Sequence, residues 1–177
     1  MIDTASYGKA LFQLAEEDGR QRQVHEQVAL VRAALLDNPA YVTLLDTPAV
    51  ATGEKLELLR EAFGGMDTIL LNFLSILCEK RAVCDFFACA DAFDRCFDEA
   101  YGILRATAIT AIPMTERQLA ALREKLAALT GKTVALENRT DSALIGGITL
   151  RYGGVQLDDS IQNRLERLRR SLSETIV

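Results

Sequence analysis

The chain has 177 residues, 49% of them hydrophobic, enough to bury a core as one ordinary domain or two small ones. A formal net charge of −5 and an isoelectric point near 5.0 exclude nucleic acid as the main partner, because phosphate binding needs a basic face. No secretory signal precedes the first amphipathic pattern, and the most apolar window, residues 69–78, is too short to cross a bilayer and is broken by Asn72 and Ser75, so a soluble chain with no direct membrane insertion is expected.

Six helical patterns fill the first hundred residues. Thr4 or Asp3 caps the first, whose apolar face is Tyr7, Leu11, Leu14 and Ala15 and which stops near Gly19. Val24, Val28, Val31 and Leu35 mark a second helix, ended by Asp37-Asn38-Pro39. Asn38 caps a short third helix with Pro39 at its first position, carrying Tyr41, Leu44 and Leu45. A fourth carries Leu56, Leu59 and Phe63 up to Gly64-Gly65. The fifth, residues 69–80, is apolar nearly all round and reads as the centre of a compact bundle; any apolar part its neighbours leave exposed is a place for a partner helix to dock. The sixth repeats Phe86, Ala90, Phe93, Phe97, Tyr101 and Leu104 at helical spacing, with Asp91, Asp94, Asp98 and Glu99 on its other faces.

Beyond Leu104 the period changes. Residues 106–112 alternate small and β-branched side chains and read as a strand ended by Pro113. Thr115 and Gln118 form a capping box, with Met114 and Leu119 at the spacing of a hydrophobic staple, for a helix lined by Leu119, Leu122, Leu126 and Leu129 and closed by Gly131. A strand follows over residues 133–137, then a hairpin in which Gly153-Gly154 supplies a positive-φ pair. A two-residue loop sets Tyr152 opposite Val155, Arg151 opposite Gln156 and Leu150 opposite Leu157. Asp158-Asp159-Ser160 caps a last helix with Ile161, Leu165, Leu168 and Leu172 on one face. The expected fold is mainly α, with a six-helix bundle over residues 1–104 and a small mixed α/β domain over 105–177.

Tests for chemistry fail. Gly131-Lys132-Thr133 resembles the end of a phosphate loop, but the required first glycine is Leu126 and the segment closes a helix. Gly146, Gly147, Gly153 and Gly154 suit turns and bulges rather than a dinucleotide fingerprint. The single histidine, His25, reads as solvated, and Asp91, Asp94 and Asp98 as a charged solvent face. Cys78, Cys84, Cys89 and Cys96 lack paired spacing and read as reduced, structural thiols on apolar helix sides. The arginines of the last helix are interspersed with Glu166 and Glu174. No catalytic residue, cofactor or metal is expected, which is the profile of an adaptor.

Val134-x-Leu136, Thr140-Asp141, Leu144, Gly146-Gly147-Ile148, Leu150-Arg151 and Gly153 together resemble the signature of the delta subunit of bacterial F-type ATP synthases, the relative of the mitochondrial oligomycin-sensitivity-conferring protein. Ala5-x-Tyr7-x-Lys9-Ala10-Leu11-Phe12-x-Leu14-Ala15, Asn72-Phe73-Leu74 with Glu79, and Asp158-x-Ser160 before Arg164-Leu165 extend the resemblance over essentially the whole chain. Lys80-Arg81-Ala82 departs from it, the arginine usually lying a residue later.

The resemblance implies a non-catalytic stator component without a cofactor. It implies an N-terminal six-helix bundle that holds the amino-terminal helix of an alpha subunit, and a C-terminal domain that joins the b subunits of the peripheral stalk. The head then does not turn with the rotor during proton-driven ATP synthesis. The matching groove positions are Tyr7, Ala10 and Ile76, with Leu11, Leu14 and Asn72 as helical neighbours; each is open to partner contact or to core packing. Gly146, Gly147 and Gly153 are implied to serve the fold of the second domain. With no leader before the first helix, the expected location is the cytoplasmic face of a bacterial plasma membrane, peripheral and within the complex. The alternative is a ligand-sensing helical regulator holding an apolar molecule in a closed cavity around the fifth helix.

Overall fold

The computed structural model describes residues 2–163 and 165, and the chain divides into two compact units, Met1–Glu99 and Ala100–Val177. It is mainly helical, with a small mixed four-stranded sheet in the second unit.

The first unit contains α1 (Thr4–Glu17), α2 (Gln21–Asp37), α3 (Pro39–Asp46), α4 (Thr52–Phe63), α5 (Thr68–Glu79), a 3-10 turn (Val83–Asp85) and α6 (Phe86–Ala100). Asp3 caps α1 by accepting from the Ser6 N–H, and Gly19, at φ 66°, ends it. Pro39 occupies the first position of α3, and α2 and α3 meet at an angle of 95°. Proline fits there because its missing N–H has no intrahelical partner to lose. Val24, Val28, Val31 and Leu35 are all buried, so the apolar stripe of α2 is the core face the spacing implies.

Several side chains depart from the sequence expectation. His25 is partly buried rather than solvated: its ring stacks on Phe97 at a centroid distance of 4.1 Å, and its Nε2 lies 3.4 Å from Asp94 Oδ1. Asp91 and Asp94 are not a plain solvent face either, since Arg32 reaches both, at 2.9 and 3.0 Å, and ties α2 to α6. Helical spacing places a charge on a face without saying which neighbouring helix that face meets. Cys84 is exposed in the 3-10 turn, whereas Cys78 and Cys89 are buried; all four thiols are free. Lys55, unforeseen in the core, is only 2% exposed, and its Nζ donates to the Thr47 carbonyl at 2.5 Å. That bond offsets part of the desolvation of a buried ammonium.

α6 stops at Ala100 rather than continuing to Leu104. Gly102, at φ 60°, turns the chain, and β1 (Ile103–Thr110) begins three residues earlier than its alternation suggests. Leu104 therefore packs on the second core, built on Ala106, Ala108, Leu126, Val134 and Leu150. β1 leads through α7 (Glu116–Thr130) to its parallel neighbour β2 (Thr133–Thr140), and β3 (Gly147–Tyr152) and β4 (Val155–Ser160) complete the order β2-β1-β3-β4. The hairpin register is the expected one, and Gly153 and Gly154 have φ of 53° and 80°. The capping box at Thr115 and Gln118 is present.

Leu129 departs from the expected face of α7. It is 83% exposed in the last turn, about 60° around the helix from the buried Leu126. Asn138 was not singled out, yet it pins the β1–α7 connection, donating to the Ala108 carbonyl at 2.9 Å and accepting from the Met114 N–H at 2.8 Å. Ser160 Oγ accepts from the Asn163 N–H at 3.3 Å, as a helix cap would. The rest of the expected last helix, including Leu168 and Leu172, lies outside the described residues. Among the described residues no single helix is long and apolar enough to cross a membrane.

Gly146 and Gly147 run close to the end of β4. A Cβ on Gly147 would lie 2.5 Å from the Asp159 carbonyl oxygen, and its φ is 89°; one on Gly146 would meet Ile161 Cδ1 at 2.8 Å. Gly147→Ala is expected to destabilise the second unit by about 3 kcal/mol. Gly154→Ala, which has open space around it, should cost only about 1 kcal/mol. Urea denaturation followed by circular dichroism measures both, and equal losses would contradict the close-approach argument.

Candidate helix-docking groove

The site begins with the division of α1 into two adjacent faces. Gly8, Leu11, Phe12 and Ala15 are buried, while Tyr7, Ala10 and Leu14 follow on the neighbouring side of the helix. Gly8 sets how closely α1 lies on α6: a Cβ there would be 2.3 Å from the Cys89 carbonyl oxygen and 2.6 Å from Ala92 Cβ. Phe12 meets Phe93 edge-on at 5.8 Å. Burial pushes the Cys89 thiol up to about 11, so it packs as a neutral small hydrophobe.

α5 divides in the same way. Leu70, Phe73, Leu74, Leu77 and Cys78 are buried, and Ile69, Asn72 and Ile76 are left outward at helical spacing. The two incompletely buried faces form a groove of ≈ 470 Å³ lined by Ser6, Tyr7, Ala10, Leu11, Leu14, Ile69, Asn72, Phe73 and Ile76.

All six residues singled out in the sequence meet here. Leu11, 1% exposed, is core and forms the floor with Phe73. Leu14 and Ile76, at 53% and 42% exposure, form apolar rims, and Ala10 and Asn72 are exposed beside them. Tyr7 is partly buried, its ring 6.5 Å from that of Phe73. Ile69 and Phe73 were missed as groove residues, although each stands three residues before one that was named, Asn72 and Ile76. The groove is apolar with few polar groups, the chemistry of a surface that takes one face of an amphipathic helix.

Gly146, Gly147 and Gly153 belong to the second unit. Gly153 has open space around it and serves the hairpin turn, whereas Gly147 sits at a close backbone approach and Gly146 against the Ile161 side chain. Gly146 and Gly147 also border a second cleft, of ≈ 470 Å³, whose lining includes Ile112, Met114 and Ile145. Ile112 and Ile145 are largely exposed. No group of metal-ligating side chains occurs among the described residues.

A mainly helical chain of two units, with an apolar groove between two helices of the first, is the class that fold and site define. The family profile described as ATP synthase delta (OSCP) subunit matches residues 4–172. The ATP synthase subunit delta of Geobacillus sp. (strain WCH70) is 35% identical over 167 residues, covering 94% of each chain. That of Alkaliphilus oremlandii (strain OhILAs) is 31% identical over 172 residues, covering 97% of this chain and 96% of the relative. A chain in the structure of the Toxoplasma gondii mitochondrial ATP synthase hexamer superposes with a TM-score of 0.78 at 25% identity, covering 97% of this chain and 98% of that one.

The chain belongs to the ATP synthase delta (OSCP) subunit family. It is a non-catalytic component of the peripheral stalk of an F-type ATP synthase and part of a membrane-associated complex.

Gly8→Ala is expected to destabilise the first unit by about 1–3 kcal/mol, although alanine is the better helix former by about 1 kcal/mol, because the atoms it meets include backbone. Thermal denaturation measures it; a stabilised variant would show that α1 and α6 are not held at this distance.

Proposed function

We propose that the α1–α5 groove receives an amphipathic helix from the amino terminus of the alpha subunit of the ATP synthase head, and that the second unit joins the b subunits of the peripheral stalk. In this reading the six helices of the first unit, expected over residues 1–104, act as a bundle capping the head, and the domain expected over 105–177 is the connector. The head is thereby kept from turning with the rotor while proton flow drives synthesis. The location is the cytoplasmic face of a bacterial plasma membrane, held peripherally through the complex.

The observation that carries the reading is that the six residues marked by family resemblance and helical spacing line one apolar groove. Ser6 to Leu14 spans about 12 Å along α1, roughly two helical turns. A partner would therefore place apolar residues at i, i+3 or i+4, and i+7 into it. The ligand-sensing alternative needs a closed cavity around α5, and this groove instead has half-exposed rims in Leu14 and Ile76. For the stalk contact, support comes from Ile112 and Ile145, two exposed apolar side chains beside one cleft.

Leu14→Glu and Ile76→Glu should each leave the fold intact, since both side chains are half exposed, and weaken binding of a peptide copying the alpha amino terminus about 100-fold. Isothermal titration calorimetry reads this, and unchanged affinity in folded variants would sink the groove assignment. Changing Ile112 and Ile145 together to Asp should abolish co-purification with b subunits while peptide binding persists. Retained b binding would move the stalk contact elsewhere.

A further inference from the structure

A polar tie stands at the start of α5 and meets the groove lining only at the Ile69 backbone. Asp67 caps α5: Oδ1 accepts from the Ile69 N–H at 2.9 Å, and Oδ2 accepts from Arg20 Nη1, also at 2.9 Å. Its backbone N–H donates to Gln27 Oε1 of α2 at 2.7 Å. The Asp67 side chain is 1% exposed, so this carboxylate is withdrawn from water and depends on its partners.

Arg20 is itself fixed to α1. Gly19 N–H reaches the Glu16 carbonyl at 3.0 Å and Arg20 N–H the Ala15 carbonyl at 2.9 Å, the double closure of a Schellman turn. Its other guanidinium nitrogen, Nη2, holds Asp18. The end of α1 and the first turn of α5 therefore converge on one buried carboxylate, and α2 holds the same residue by its backbone N–H. Lateral movement of the first turn of α5 away from α1 would open the Arg20–Asp67 pair and leave Asp67 short of a partner.

We propose that Arg20, Asp67 and Gln27 form a clamp that sets the separation of α1 and α5, with Arg20 and Asp67 acting as positioning residues for the helix bound in the groove. This rests on the groove being the docking site. The clamp preorganises the apolar rims, so that the partner helix does not have to order them on binding.

Arg20→Gln removes the charge pair. Asp67→Asn keeps a side chain able to cap α5 while neutralising the carboxylate. In the full-length protein, below the unfolding temperature of every variant, calorimetry with the alpha amino-terminal peptide should give affinities about five- to tenfold weaker for both, with circular dichroism unchanged. Arg20→Lys, which restores the charge, should recover most of the loss. Leu59→Ala, a destabilising change in the α4 core, should leave affinity within about twofold. Folded Arg20→Gln and Asp67→Asn proteins that bind as the wild type does would overturn the clamp and leave the groove assignment standing. A wild-type protein that fails to bind the peptide would overturn the docking reading and the clamp with it. Should Arg20→Gln fail to fold, Asp67→Asn compared with Leu59→Ala decides: equal loss in both would reduce the clamp to ordinary stability.

Discussion

The close approach of α1 to α6 at Gly8 is the constraint on which the groove of the first unit depends. A side chain there would meet the backbone of Cys89 and Phe93 as well as Ala92, so only hydrogen allows the helices to lie at this distance. With Gly8, Phe12 and Ala15 committed to the core, helical periodicity fixes where Tyr7, Ala10 and Leu14 must point. α5 is under the matching constraint, because its five buried residues leave the line of Ile69, Asn72 and Ile76 outward. The groove is what remains when two helices have each spent most of an apolar circumference on the same core.

This arrangement suits a stationary element of a rotary machine. A stalk component has to transmit load through surfaces that keep their shape, and a groove whose floor is core responds to load as the core does. Leu11 and Phe73 belong to both, so a helix seated on them would rest on the packed interior rather than on a loop. The second unit follows the same economy of backbone. Gly147 brings β3 against the end of β4, and Asn138 holds the β1–α7 connection to the strand beside it, so its segments are fixed by main-chain and side-chain hydrogen bonds as well as by a small apolar core.

Much of this was legible in the sequence wherever local chemistry decides structure. The hairpin register followed from a two-residue glycine turn and side-chain alternation, and the start of α7 from a capping box. The core face of α2 followed from four apolar residues at helical spacing. The six groove residues were legible as a set through family resemblance and periodicity. Which of them were floor and which rim was not, since Leu11 and Leu14 are equally apolar and differ only in how far the neighbouring helices cover them. The other departures share that cause. His25, Lys55 and the Arg32 ion pairs are fixed by neighbours distant in sequence. The end of α6 fell at Gly102 because a positive-φ turn outweighed an apolar period that would have carried the helix on to Leu104.

The central claim is that the head docks on the α1–α5 groove, and amide hydrogen exchange in the presence of the alpha amino-terminal peptide tests it most directly. The account predicts added protection concentrated in residues 6–14 and 69–76, with the second unit exchanging as it does in the free protein. Protection confined to the second unit, or none in α1 and α5 at saturating peptide, would contradict it.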